Sequence, residues 1–346
     1  MGLLSRIRRS NFFIKLGSWE YWPFGILQAP VFPYWLWLSL RARTPVFFSA
    51  SNPGILMGGM FGESKYEVLE KVPASHKPIT VLMKHPASRE QVLVAMQRSG
   101  LHYPVVCKPD LGERGWMVRR IYSDAELDQY LQEIKLDFIV QACVDLPLEF
   151  GVFYVRYPEE STGRVTSIVG KEMLHVVGDG VKSLERLILE KDRAKLQWPT
   201  LRQKFEGRLS SIISQGERVE LVSIGNHCLG TMFINSNHLI TPALSASFDR
   251  ISKQIDGFYF GRFDLRVKTI EDLEAGNIQI LELNGCGAEP AHIYQPGYSF
   301  FTAVGVLMRH WHDIYRISVE NHRRGVTYIT WREARRIYND FRALTR

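Results

Sequence analysis

Two runs, GRFDLRV at 261–267 and IQILELNG at 278–285, set charged and amide side chains at alternate positions of otherwise apolar, β-forming sequence. Side chains on a strand alternate between faces, so Glu282 and Asn284 point the same way, and so do Arg262 and Asp264. If the runs are neighbouring strands joined by a hairpin-like turn, Asp264, Glu282 and Asn284 converge on one face of a sheet. Three oxygen donors so placed suit magnesium, which takes hard ligands and keeps positions open for phosphate oxygens. Arg262 on that face can hold a transferring phosphoryl group or the oxyanion that follows it. The plain alternative is a row of solvated polar groups on a half-exposed sheet. Phe263, Leu265, Ile280, Leu281 and Leu283 weigh against it, because carboxylates among apolar neighbours are costly unless a cation compensates.

The rest of the chain supplies a scaffold of mixed type. At 346 residues and 45% hydrophobic content it can bury a sizeable core, and its length suggests two or three subdomains. ASREQVLVAMQRSG carries a Ser88 cap and ends at Gly100, the pattern of a helix. YPVVCKP, LGERG and WMVRRIY predict strand, glycine loop and strand over 103–122. SDAELDQYLQEI predicts a helix capped by Ser123, and DFIVQACV and LEFGVFYVRYP predict further strands. The stretch 178–215 is mostly helical and polar. Strands return at ERVELVSIG, GRFDLRVKT and NIQILELNG, and helices over 300–322 and 331–344 close the chain. Strands and helices mixed in this way predict an α+β architecture. The expected divisions are an arm at 1–45, an α/β subdomain at 46–100, a central subdomain with the glycine loop at 101–150, a C-terminal subdomain with the metal site at 151–322, and a C-terminal helix at 323–346.

Residues 1–43 combine basic side chains with a dense run of Trp, Tyr, Phe and Leu. Pro23, Pro30 and Pro33 break the run, which falls short of the roughly 20 apolar residues a spanning helix needs. A small-residue cleavage site is missing, and Arg6 stands where a myristoylation signal has Ser or Thr. Two readings stay open. The arm lies on a membrane surface with Arg6, Arg8, Arg9, Arg41 and Arg43 facing anionic lipid, or it packs on its own domain or on a second subunit of a homodimer.

The net charge of +7 fits a polyanionic partner without choosing among nucleotide, acidic substrate, nucleic acid and membrane. Nucleic acid ranks last, since the basic residues are scattered and no recognised module appears. Cys107, Cys143, Cys228 and Cys286 lie far apart, which predicts a reducing compartment and no structural zinc. No Walker A motif, GxSxG elbow or HExxH helix is present.

Together GRFDLRV and LELNG resemble the magnesium-binding end of the ATP-grasp ligases, such as D-alanine–D-alanine ligase. The resemblance runs over about 65–303 and implies an ATP-grasp fold, two α+β subdomains sandwiching ATP. YPVVCKPDLGERG is similar to the family's phosphate-binding lysine, here Lys108, and its glycine loop of Gly112, Glu113, Arg114 and Gly115. A lysine and loop amides can together cradle phosphates. FIVQACVDLPLEFGV resembles the strand and hinge that hold the nucleoside, which puts Gln141 at the adenine edge, Val144 at the hinge and Glu149 on the ribose hydroxyls. Gln141 departs from the commoner Glu. Lys65 looks like the first nucleotide-contacting lysine. KEMLHVVGDGVKSLERLI resembles the VVGDG segment of cyanophycin synthetase-like ligases, with Lys171 reaching the phosphates and Asp179 at the helix start.

What the resemblance implies is a ligase using ATP and magnesium, with manganese as the alternative ion. It would activate a carboxylate as an acyl phosphate and couple it to an amine, with Arg262 and Lys171 as catalytic cations. In GCGAEPAHIYQPG two readings stay open: Glu289 and His292 contact a polar or amine-bearing acceptor, with His292 assisting its deprotonation near neutral pH, or they are structural residues of the loop. A small-molecule kinase and a nucleotide-binding, membrane-associated protein without turnover are the competing functions. The expected setting is cytoplasmic, on the inner face of the membrane if the arm binds it.

Overall fold

The computed structural model describes residues 10–112, 115–222, 225 and 230–344. Among the described residues eleven strands form two main sheets and a small two-stranded pair, with every pairing antiparallel. The first sheet comprises β1 (Thr80–Met83), β2 (Val105–Pro109), β3 (Arg119–Ile121) and β4 (Phe138–Ala142), ordered β1-β4-β2-β3. β1 comes from the stretch expected to form a separate N-terminal subdomain, so this sheet runs across the expected division at residue 100.

One face of the first sheet is covered by the helices Arg89–Ser99 and Asp124–Glu133. Their Val92, Met96, Leu127 and Tyr130 pack on Val105, Cys107, Phe138 and Val140. Ser88 and Gln91 form a reciprocal cap at the start of the first helix, and Gly100 ends it in the left-handed conformation, as the sequence predicts. Strand alternation turns Lys108 and Gln141 to the opposite face.

The second sheet comprises β5 (Leu148–Val155), β6 (Arg164–Glu172), β9 (Met232–Asn235), β10 (Phe260–Val267) and β11 (Gln279–Asn284) in the order β11-β10-β5-β6-β9. The small pair, β7 (His175–Val177) with β8 (Arg218–Glu220), lies beside the helices Leu184–Glu190, Asp192–Lys195 and Trp198–Lys204. One face of the second sheet is core. Phe150, Val152, Phe263, Leu265 and Ile280 pack on Leu244, Phe248 and Ile251 of helix Pro242–Ser252. On the other face Phe153, Val155 and Phe260 pack toward helix Phe300–Arg323, while Arg262, Asp264 and Arg266 occupy the free end.

Two local expectations need correction. β10 and β11 are not joined by a hairpin turn: the connection contains the helix Ile270–Ala275, capped by Thr269 and closed by left-handed Gly276. The strands still pair, because the helix brings the chain back antiparallel. Asp179 is not at a helix start either. Its carboxylate accepts from the amides of Val181 and Lys182 in a turn, and Ser183 caps the helix that follows.

The arm folds into the helices Asn11–Gly17, Phe24–Gln28 and Phe32–Ala42, with Pro23 before the second and Pro30 between the second and third, while Pro33 is accommodated in the first turn of the third. Its Leu27, Val31 and Leu38 are buried against helix Phe300–Arg323. Among the described residues no helix is long and apolar enough to cross a membrane.

Candidate active site

The register of β10 decides the site. Asp264 stands opposite Glu282 of β11 on one side and Gly151 of β5 on the other, and Arg262 stands opposite Asn284. Asn284 Nδ2 donates to Asp264 Oδ2 over 2.9 Å, and Arg262 donates to the same oxygen from Nη2 at 2.9 Å and Nε at 3.2 Å. Lys171 Nζ, from β6, lies 2.9 Å from Asp264 Oδ1. Burial pushes the Asp264 carboxyl up, but Arg262 and Lys171 outweigh it and hold the group well below the usual carboxylate range.

Lys171 also donates to Glu149 Oε1 over 3.2 Å, and Arg266 donates to Glu149 Oε2 over 3.0 Å. Burial works against the Lys171 ammonium, yet Asp264 and Glu149 raise its pKa above the ordinary value. Both oxygens of Glu149, the residue expected on the ribose, therefore face cations. Arg266 Nη1 reaches on to the carbonyl of Val144 at 3.1 Å. The arrangement needs space, and Gly151 leaves it. A Cβ there would come within 3.2 Å of Arg262 Cδ and 3.3 Å of Asp264 Oδ1.

The first sheet meets this face across β11. Lys108 Nζ donates to the Leu281 carbonyl over 3.1 Å, and Gln141 Nε2 donates to the same carbonyl at 3.3 Å and to Thr80 Oγ1 at 3.0 Å. Lys108 is buried, and burial pulls its pKa down, with Glu282 opposing and Lys65 adding like charge. Lys65 opens helix Lys65–Glu70 behind a Ser64 cap. Its Nζ donates to the Gly112 carbonyl and lies 3.7 Å from Glu282 Oε1. Of the glycine loop, Gly112 and Gly115 take positive φ. Glu113 and Arg114 lie outside the described residues, as does most of SIGNHCLGT.

Lys65, Lys108, Lys171, Arg262 and Arg266 thus face Glu149, Asp264 and Glu282, five positive groups against three negative. The cations outnumber the carboxylates even with Glu289, which also acts on Arg262, counted among them, and an excess of positive charge in a partly dry junction attracts a polyanion, of which a nucleotide polyphosphate is one. The donor set Asp264, Glu282 and Asn284 also fits magnesium in kind. Because both Asp264 oxygens already face cations, the ion fits when phosphate oxygens arrive with it. Among the described residues no group of three or more His, Cys, Asp or Glu is placed to hold a metal by itself.

The segment after β11 departs from expectation. His292 is buried, its Nδ1 2.6 Å from Ser167 Oγ, and burial pushes its pKa down to about 4. It is neutral and a weak base near pH 7, so it does not meet the expectation of a proton acceptor there. Glu289 accepts from Gln28 Nε2 and from the Tyr294 hydroxyl, each at 2.5 Å, and its carbonyl accepts from Arg262 Nη1 at 3.3 Å.

Two residues of the junction go unread in the sequence. Arg266 carried a signal, since the alternation that pairs Arg262 with Asp264 places residue 266 on the same face. Asp110 carried none. Its carboxylate accepts from Ser64 Oγ and the Tyr66 amide, at 2.9 and 2.8 Å, and ties the glycine loop to the helix that carries Lys65.

No protein-family model matches the chain, and no curated protein matches it in sequence. Among solved structures, the chain is similar to D-alanine–D-alanine ligase from Bacillus anthracis, with 13% identity and a TM-score of 0.46 over 78% of this chain and 72% of that one. The VanG D-Ala:D-Ser ligase from Enterococcus faecalis matches with 14% identity and a TM-score of 0.41 over 74% and 62%. A bifunctional glutathione synthetase from Pasteurella multocida matches with 15% identity and a TM-score of 0.37 over 70% of this chain. The match spans only 35% of the synthetase.

Proposed function

We propose that the protein is an ATP-dependent ligase of the ATP-grasp type, which phosphorylates a carboxylate and joins the resulting acyl group to an amine. The observation that carries this is the junction where Lys108, from one sheet, and Arg262, Lys171 and Asp264, from the other, gather beside Glu282 and Asn284. A carboxylate oxygen of the substrate attacks the γ-phosphorus and ADP leaves. The amine nitrogen then attacks the acyl carbon, phosphate leaves, and the nitrogen gives up a proton.

In this reaction the protein positions and neutralises, and needs no covalent nucleophile. Lys65 and Lys108 hold phosphate oxygens together with amides of the Gly112–Gly115 loop. Arg262 and Lys171 face the transferred phosphoryl group and the oxyanion of the second step. Gln141 and the chain through Val144 border the adenine. Glu149 holds Lys171 and Arg266 in place, and a ribose contact requires one of them to release it. Magnesium or manganese, held through Asp264, Glu282 and Asn284, would neutralise phosphate charge.

The test is nucleotide turnover by the full chain with magnesium and ATP against pooled carboxylates and amines. ADP and phosphate released only when both pools are present, with a condensed product in the mass spectrum, establish the ligase. ADP with a phosphorylated small molecule and no need for amine makes it a kinase instead, and tight ATP binding without turnover makes it a non-catalytic nucleotide binder.

A further inference from the structure

Helix Phe32–Ala42 is apolar on two sides. Its inner stripe, Leu38 with Tyr34, Trp35 and Ala42 packed beside it, faces helix Phe300–Arg323, where Trp35 meets Trp311 and Tyr34 meets His312. Its outer stripe, Phe32, Leu36 and Leu40, repeats every four residues and lies open, Leu40 at 71% exposure, with Trp37 exposed next to it. A soluble surface helix carries its polar residues on the side away from the core, and this one carries leucine and aromatics there instead. Helix Asn11–Gly17 repeats the pattern with exposed Phe12, Phe13 and Leu16. Phe301, at the start of the helix under the arm, is 84% exposed.

The arm's own charge is almost wholly of one sign. Residues 1–45 contain six Lys and Arg and one acidic residue, Glu20. Glu20 is withdrawn from the surface, 5% exposed and 2.5 Å from Arg193 Nη2. Lys15, Arg41 and Arg43 are exposed beside the apolar stripes, and the Arg41 guanidinium lies 4.9 Å from the Trp37 ring.

From this we infer that the arm is a docking face for an anionic lipid surface, with Phe12, Phe13, Leu16, Phe32, Leu36 and Leu40 entering the headgroup layer and the arginines and lysine meeting lipid phosphates. Aromatic and leucine side chains flanked by Lys15, Arg41 and Arg43 suit the boundary between headgroups and acyl chains, and anionic lipid answers the arm's excess of positive charge. A second copy of the chain answers it poorly, because a two-fold contact through this face sets one cationic rim against another. Gln28 donates to Glu289 and Trp19 Nε1 donates to the Tyr298 carbonyl, so the docked arm brings the segment after β11 toward the lipid. The inference stands apart from the nucleotide chemistry, because it uses none of the residues of the charged junction.

The experiment is co-sedimentation of the full chain with vesicles of phosphatidylcholine alone and of phosphatidylcholine mixed with phosphatidylglycerol. Two double variants accompany it, Leu36→Ser with Leu40→Ser and Lys15→Glu with Arg43→Glu. All four positions are exposed, so unchanged thermal melting is expected and checks folding. The full chain is expected to bind the mixed vesicles and to be released by salt, and each double variant to bind at least about tenfold more weakly. Absence of binding to either vesicle overturns the inference, and so does binding that neither variant weakens. A concentration-dependent dimer in gel filtration, abolished by the leucine pair while vesicles stay unbound, assigns the face to a second copy and overturns it as well.

Discussion

Lys171 and Asp264 form a buried ion pair, Nζ to Oδ1 at 2.9 Å, in which the ammonium keeps its charge because Glu149 stands on its other side at 3.2 Å. The pair couples β6 to β10 across β5. It also makes one lysine answerable for both fold and chemistry.

Lys171→Met is expected to remove a cation from two buried carboxylates. Breaking such a pair costs about 3–5 kcal/mol, read as a lower urea midpoint. Loss of a positioned cation facing developing charge lowers turnover by about 10²–10³-fold. Lys171→Arg restores most of the stability and little of the rate, since a planar fork does not reproduce a point ammonium. Recovery of full rate in the arginine variant would show that the lysine acts only through the fold.

Magnesium alone is expected to bind weakly or not at all, because Asp264 already faces Lys171 and Arg262. With ATP or a non-hydrolysable analogue present, titration calorimetry should show the ion bound. Asp264→Asn and Glu282→Gln should each abolish that second signal. Tight magnesium binding by the nucleotide-free protein would contradict the cationic surplus of the junction.

Acid sensitivity should begin with histidines rather than carboxylates. His292 titrates at about 4 in the folded chain, against about 6.5 when unfolded, and burial lowers His310 to about 3. Between those values the unfolded chain holds protons that the folded chain does not. Stability therefore falls as pH drops below about 6.5, by up to about 1.4 kcal/mol per pH unit for each histidine. Urea midpoints between about pH 7 and pH 5 measure the slope. His292→Gln keeps a partner for Ser167 and should make the slope shallower.

Gly151→Ala tests the room left for the charged junction. The added Cβ would stand 2.9 Å from Val169 Cγ1 as well as close to Arg262 and Asp264. Overpacking of this kind costs about 1–3 kcal/mol. Displacement of Arg262 should lower kcat by more than it raises the KM for ATP.

Alternation of side chains explains why Asp264, Glu282, Asn284 and Arg262 were readable from sequence. A two-residue period sets the face, and the observed register then sets Asp264 against Glu282. The same rule reaches Arg266, two positions on. The rule is silent on partners from distant strands. Glu149 and Lys171, 22 residues apart in the chain, meet the Asp264 cluster only because β5 pairs with β10 and β6 pairs with β5. Between the two readings of His292 the sequence does not choose, because the burial that keeps it neutral comes from packing against Ser167 and Tyr298. The helix between β10 and β11 does leave a signal in the sequence, Thr269 with Asp272 three residues on and Gly276 after it, but at six residues it is too short to show helical periodicity.

The arm packs on a helix some 280 residues further along the chain, as the bond between Tyr34 and His312 records. During synthesis the tryptophans and leucines of the first 45 residues therefore emerge well before the surface that shelters them. At ordinary elongation rates the delay is roughly 15–60 s. Through that interval Leu27, Val31 and Leu38 lack the helix that buries them, so the arm's native packing forms only after most of the chain has been made.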